Sequence, residues 1–173
     1  FKYKINGKTN FDLYDAVSKK VKRTFTKMII TRTPFRVTLG GGGTDLPSYY
    51  SEHGGFIFSF TLDKYMYITV KKAFANDFIR VKYNESETVS SLQELKHDIA
   101  RASLKKLGLF KGIEIASMAD IPSGSGLGSS STYTVGLLSA LHNLKRDYIS
   151  MEDLAEEACE VEIDILKKPM GKQ

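Results

Sequence analysis

Cysteine is almost absent from this chain: Cys159 is the only one in 173 residues. A single thiol cannot close an internal disulfide, and with no Cys/His cluster around it nothing supports a zinc site. It reads as a small buried apolar residue of a helix. Long apolar runs are missing too. None approaches the ~20 residues that a membrane helix needs, and no basic start with an apolar core and small-residue cleavage site marks a secretory signal. These absences suit a reducing cytoplasm and argue against a membrane partner. Acidic charge is scarce only at one end. Residues 1–27 hold eight Lys/Arg and two acids, a balance of +6, while the remaining 17 basic and 18 acidic residues balance at −1. The net charge of +5 thus belongs to the N-terminal segment, which weakens any nucleic-acid face on the body of the chain. A composition 42% hydrophobic and 26% charged is that of an ordinary soluble domain, or part of a larger one.

The pattern along the chain is that of an α+β layer. Residues 1–27 read as a basic extension with a short helix capped by Asn10, and the domain proper is expected from Met28 to residue 173. A strand is predicted over 29–39, interrupted by Pro34, and runs into four consecutive glycines. After a turn at Gly54 and Gly55, residues 56–62, 64–72 and 78–83 read as three strands of an antiparallel meander. A helix capped by Ser90 or Ser91 is predicted through Leu92, Leu95, Ile99, Ala102 and Leu107, followed by a strand over 113–118. Two more helices follow. The first carries Val135, Leu138, Leu141 and Leu144. The second starts at Ser150 with Glu152 and Asp153 in its first turn and buries Leu154, Ala158, Val161 and Ile165.

Chemistry concentrates between Asp120 and Ser131. Gly124, Gly126 and Gly128 alternate there with small residues at the start of a helix, where successive N–H groups and the helix dipole make an anion cradle. The loop has no lysine, so it is not the G-x-x-x-x-G-K-[ST] phosphate loop. It is not a dinucleotide fingerprint either, because the third glycine would fall at Ser129. No serine has glycines two residues away on both sides, which removes the nucleophile elbow. A phosphate cradle leads over a flexible serine–glycine turn. The upstream run from Gly40 to Gly43 similarly suits close backbone approach to a ligand beyond a strand end.

Three stations in order resemble the N-terminal domain of the GHMP small-molecule kinases. Pro122, Gly126, Leu127, Gly128, Ser129 and Ser130 fill the motif Pro-x-x-x-Gly-Leu-Gly-Ser-Ser. Arg36 and Asp45 stand nine residues apart, as in the first motif of the sugar kinases. Glu162 precedes Pro169 and Gly171 as in the acidic helix that ends in Pro-x-Gly. The resemblance spans about residues 28–173 and implies a ribosomal-protein-S5-like fold. Thr33 to Arg36, the glycine run and the Pro169 to Gln173 segment look most like the branch that phosphorylates D-glycero-D-manno-heptose 7-phosphate at the anomeric hydroxyl. Gly42 and Gly43 stand where galactokinase has an acid and a histidine. L-fucose kinase has a similar glycine-rich first motif.

The resemblance also implies roles. Pro122, Ser123, Gly124, Ser125, Gly126, Leu127, Gly128, Ser129 and Ser130 would hold ATP, mainly through backbone N–H groups. Ser130 and Glu162 would share Mg²⁺ with phosphate oxygens. Gly41, Gly42, Gly43, Thr44 and Asp45 would face the sugar phosphate, and Arg36 would stabilise charge near the transferred phosphate or orient a catalytic aspartate. That aspartate is expected just after Gln173. The chain is therefore expected to be a fragment, inactive alone, with an exposed apolar face where a C-terminal domain packs. Bland readings stand beside these. Glu162 could be solvated, as Glu156, Glu157 and Glu160 are expected to be. Arg36 could pair with a surface acid, and Asp45 could cap a helix or turn. His53, His97 and His142 receive no role. A non-catalytic S5-like domain that binds nucleotide or RNA is the alternative of a different class.

Overall fold

Two long strands dominate the computed structural model, which describes residues 4–5, 8–9, 28–73 and 77–172. Strand β1 (Met28–Gly40) pairs antiparallel with β2 (Phe58–Lys72). Strands β3 (Ile79–Lys82), β4 (Ser86–Val89) and β5 (Ile113–Ala119) complete a five-stranded sheet in the order β1-β2-β5-β3-β4. The helices are α1 (Pro47–His53), α2 (Asp98–Lys106), α3 (Ser129–Lys145) and α4 (Met151–Cys159), the last continuing into a π-helical turn at Glu160–Ile165. Lys4–Ile5 and Lys8–Thr9 pair with each other. The helix expected from Asn10 lies outside the described residues.

Strict alternation builds the core. Met66, Ile68 and Val70 of β2, Ile79 and Val81 of β3, and Ile113 and Ile115 of β5 all turn inward and are buried. Each aliphatic side chain fully removed from water contributes roughly 1.5–3 kcal/mol. Helix α3 lies along β1 and β2 and buries residues all round, including Leu137, Leu138 and Leu141, as a helix enclosed on every side must. Its approach to the sheet is close at Gly136. The hydroxyl of Thr31 donates to the Gly136 carbonyl at 2.9 Å, and a Cβ there would come within 2.8 Å of the Thr33 hydroxyl oxygen.

Three expectations need correction. The meander is wrong: residues 56–62 and 64–72 fall largely within the single strand β2, and β5 inserts between β2 and β3, running parallel to β3. The expected break at Asp63 is a bulge. Pro34 pairs with Tyr65 and Arg36 with Thr61, so three residues of β2 face the buried Phe35 alone. The predicted helix from Ser90 is a 3-10 turn, Leu92–Glu94, separated from α2. The Glu87 carboxylate accepts from the N–H groups of Lys96 and His97 at 2.7 and 3.1 Å, which holds those residues outside a helix. Lastly, Ile165 is 46% exposed while Glu162 is 2% exposed. The π-helical turn adds one residue to the helical repeat and shifts its phase, turning Glu162 in and Ile165 out. Helix α1 was foreseen only as a helix that Asp45 could cap, and its N-cap is Leu46.

His97 caps α2 by accepting at Nδ1 from the Ala100 N–H at 3.3 Å, and the ring stacks on Tyr133. Burial, above all, holds His97 below its usual 6.5. Burial opposes ionisation of Glu87, but the N–H of Lys96, the Tyr83 hydroxyl and the N–H of His97 outweigh it and lower the carboxyl below 4.5. The same Glu87 contact pushes the Tyr83 phenol up to about 12. The His97 and Glu87 shifts are both depressions, so the stability they carry is present above the unfolded values and lost as pH falls through the folded ones. Thermal midpoints should decline below about pH 6.5 and again below about pH 4.5. His97→Ala should remove the first decline and Glu87→Gln the second. A midpoint that stays flat down to about pH 4 would contradict this account of the start of α2.

Candidate active site

Three glycines shape the approach to α3. Gly124, Gly126 and Gly128 have φ of 81°, 77° and 77°, a left-handed alternation that L side chains resist. The chain enters α3 through Gly128 with no side chain capping the helix. Its first N–H groups are thus left to a ligand, and the dipole favours an anion there. Ser129 Oγ is buried beside them with no hydrogen-bond partner among the described residues.

Arg36 comes to the same place from β1, just past the bulge. A Cβ on Gly128 would fall 2.8 Å from Arg36 Cζ, so the guanidinium lies flat against the glycine. Its Nε is also buried, with no hydrogen-bond partner among the described residues. The surface pairing that Arg36 could have had is not observed among the described residues.

Two clefts open on either side of the loop. One, of about 440 Å³, runs between β5 and α2 and is lined by Pro122, Ser123, Gly124 and the side chains of Tyr83, His97 and Tyr133. The other, of about 600 Å³, is lined by Arg36, Gly42, Gly126, Leu127, Gly128 and Met170. Ser129 and Ser130 belong to both. Beneath them the Ser130 hydroxyl hydrogen-bonds to Glu162 Oε1. Glu162 is therefore not the solvated acid of the bland reading, and α4's π-helical turn is what delivers it. No three His, Cys, Asp or Glu side chains converge among the described residues. A cation held by Ser130 and Glu162 would take its other oxygens from a substrate or water, the usual habit of Mg²⁺.

The glycine run divides differently from expectation. Only Gly42, of residues 41–45, lines the second cleft. Gly41 has φ 83°, and a Cβ there would fall 1.8 Å from the Phe56 carbonyl oxygen. The Thr44 hydroxyl is taken up within the loop, 2.7 Å from Gly41 O and 3.1 Å from Phe56 N. Asp45 is 5% exposed; its Oδ1 accepts from the Gly43 N–H at 2.9 Å, and Gly171 packs on its carboxylate. The Lys172 N–H donates to the Asp45 carbonyl at 3.3 Å. Asp45 thus ties its loop together under the last residues of the chain and does not face open solvent.

Several residues at the site carried no signal in the sequence. Lys168 contacts Ser130, Glu162 and Asp98 but sits in a Lys-Lys pair that reads as solvated charge. His97 and Tyr133 reach the first cleft from distant elements. His142 and Glu157, 2.8 Å apart, are both largely buried, so Glu157 is not a surface acid. Cys159 is half-buried, and burial pushes its thiol up.

Residues 88–173 match the family described as GHMP kinases N terminal domain. The chain carries a GHMP kinase N-terminal domain. It is 30% identical over 162 residues to the D-glycero-alpha-D-manno-heptose 7-phosphate kinase of Campylobacter jejuni, covering 85% of this chain and 47% of that protein. A crystal structure of a D-glycero-D-manno-heptose 1-phosphate kinase from Bacteroides thetaiotaomicron superposes with a TM-score of 0.75 at 26% identity, over 85% of this chain and 51% of the other. Lactococcus lactis galactokinase, crystallised with galactose, shares the fold with a TM-score of 0.66 at 19% identity, covering 92% of this chain and 44% of that one. The chain thus spans about half the length of these relatives. No helix among its described residues is long and apolar enough to cross a membrane. Leu39, Phe56, Phe58 and Phe60 form an exposed apolar strip at the glycine end of β1 and β2.

The two kinds of glycine separate cleanly by substitution. Gly41→Ala should destabilise the domain by about 2 kcal/mol or more, because backbone must move. Gly42→Ala, with nothing within 4 Å of its Cβ, should stay within about 0.5 kcal/mol of the parent. Chemical denaturation measures both, and equal losses would show that the loop is not held as described.

Proposed function

We propose that this protein is an ATP-dependent sugar kinase that phosphorylates the anomeric hydroxyl of D-glycero-D-manno-heptose 7-phosphate in the cytoplasm. Residues 28–173 form its ATP-binding unit and 1–27 a basic extension. The observation that carries the reading is the pair of buried unpartnered polar atoms, Arg36 Nε and Ser129 Oγ, at the uncapped start of α3 between two clefts. Orphaned buried donors are costly unless a ligand completes them. The names of the heptose-phosphate kinases similar to this chain favour the substrate.

Phosphoryl transfer asks the protein for position and charge neutralisation more than for covalent chemistry. In this reading the nucleotide base occupies the 440 Å³ cleft against Tyr83, His97 and Tyr133, and its phosphates lie on the N–H groups of residues 125–130. The sugar occupies the second cleft, where the open space at Gly42 accommodates an acceptor larger than a hexose. Arg36 lines the second cleft against Gly128 and neutralises charge that develops on the transferred group. Ser130 and Glu162 offer the oxygens that would hold Mg²⁺. Bound there, the ion would neutralise phosphate charge and help align donor and acceptor. Asp45 positions the sugar loop from beneath. Gly171 and Lys172 pack on Asp45, and the resemblance expects a base just after Gln173.

The intact protein, assayed for ATP consumption against sugars and sugar 7-phosphates, should prefer the heptose 7-phosphate. A clear preference for unphosphorylated L-fucose would overturn the substrate. Arg36→Met and Glu162→Gln should each lower kcat by about 100-fold or more while the fold is retained. Undiminished turnover in both would remove the proposed site.

A further inference from the structure

One charged group at this junction has no part in the proposed transfer: the Lys168 ammonium. Its Nζ lies 3.4 Å from Ser130 Oγ, 3.9 Å from Glu162 Oε1 and 3.5 Å from Asp98 Oδ2. The backbone places it there, since the Lys168 N–H donates to the Glu162 carbonyl at 3.0 Å as the chain leaves the π-helical turn. The ammonium therefore touches the same two side-chain oxygens that are proposed to hold the divalent cation. A carboxylate as buried as Glu162 needs a positive partner when no metal is present, and Lys168 is the cation beside it. An ammonium and a divalent ion on one carboxylate oxygen repel each other strongly at such short range. Asp98, at the start of α2 and about half exposed, gives the ammonium a second carboxylate on which to settle.

We propose that Lys168 is an internal counter-ion of the Ser130–Glu162 pair that yields its place to a divalent cation by moving onto Asp98. Lys168 and Asp98 then set the affinity of the pair for the cation together. Both are positioning residues, because they act through Glu162. The proposal rests on Ser130 and Glu162 being the cation ligands of the proposed function. It adds that this ligand pair is occupied from within when the nucleotide is absent, in a loop that has no lysine of its own.

The test is Mn²⁺ binding to the intact protein without nucleotide, followed by electron paramagnetic resonance or calorimetry. Lys168→Met should tighten Mn²⁺ binding by about tenfold, within the usual range of coupling between sites. Asp98→Asn should weaken it severalfold. In the Lys168→Met background, however, Asp98→Asn should have almost no effect, because Asp98 acts only through the ammonium. Two independent effects that simply add, or equal or undetectable binding in the parent and Lys168→Met proteins, would overturn the proposal. Lys168→Gln serves as a second neutral variant, and Lys168→Arg, which keeps the charge, should bind like the parent. Glu162→Gln separates the two levels. If it leaves Mn²⁺ affinity unchanged, the ligand pair itself is wrong. If it abolishes binding while Lys168→Met changes nothing, only the counter-ion role fails.

Discussion

A carboxylate almost fully withdrawn from water, hydrogen-bonded to the first turn of the central helix, constrains everything else at this site. Glu162 comes from the π-helical turn after α4, Ser130 from α3, and Lys168 from the segment that follows. Burying such a group is costly unless its charge and lone pairs are met. Two stretches that are distant in sequence, one carrying Ser130 and the other Glu162 and Lys168, are therefore held in one register. That register also fixes the mouth of α3, because Ser130 lies one residue past the serine whose hydroxyl remains unpartnered.

The two glycine stations solve one steric problem in different ways. At Gly128 the absent Cβ leaves room for the flat guanidinium of Arg36, so the glycine serves a side chain that a ligand would meet. At Gly41 it leaves room for the Phe56 carbonyl, so the glycine serves the fold of its own loop. The Thr44 hydroxyl and the Asp45 carboxylate then close that loop with hydrogen bonds. Of the glycine run, Gly40 and Gly42 are left to the second cleft. A motif read as one binding surface is in part a scaffold, with alternate glycines open to the cleft.

Much of the architecture was legible in the residues. The alternation of Met66, Ile68 and Val70 marks β2, and Ser150 with its following acids marks α4, where the serine side chain does accept from the Asp153 N–H. The alternating glycines between Pro122 and Ser130 mark a sharply turning approach to a helix start, and their positive φ agrees. Less was legible where long-range pairing competes with local pattern. Nothing in residues 56–83 shows that β5 will enter between β2 and β3, since that neighbour arrives thirty residues later. The helix expected from Ser90 failed because the Glu87 side chain captured two backbone N–H groups.

What the sequence determined by itself were the periodicities, the turn chemistry and the family motifs, because each depends on residues a few positions apart. Tertiary structure alone decided which polar groups would be left without partners and which would be paired. Arg36 meets Gly128, Lys168 meets Glu162 and Asp98, and Asp45 is sealed beneath Gly171. These outcomes depend on burial and on distances between segments brought together by a shared core. The phase shift of a single π-helical turn, which no local spacing encodes, was enough to exchange Ile165 for Glu162 on the inner face.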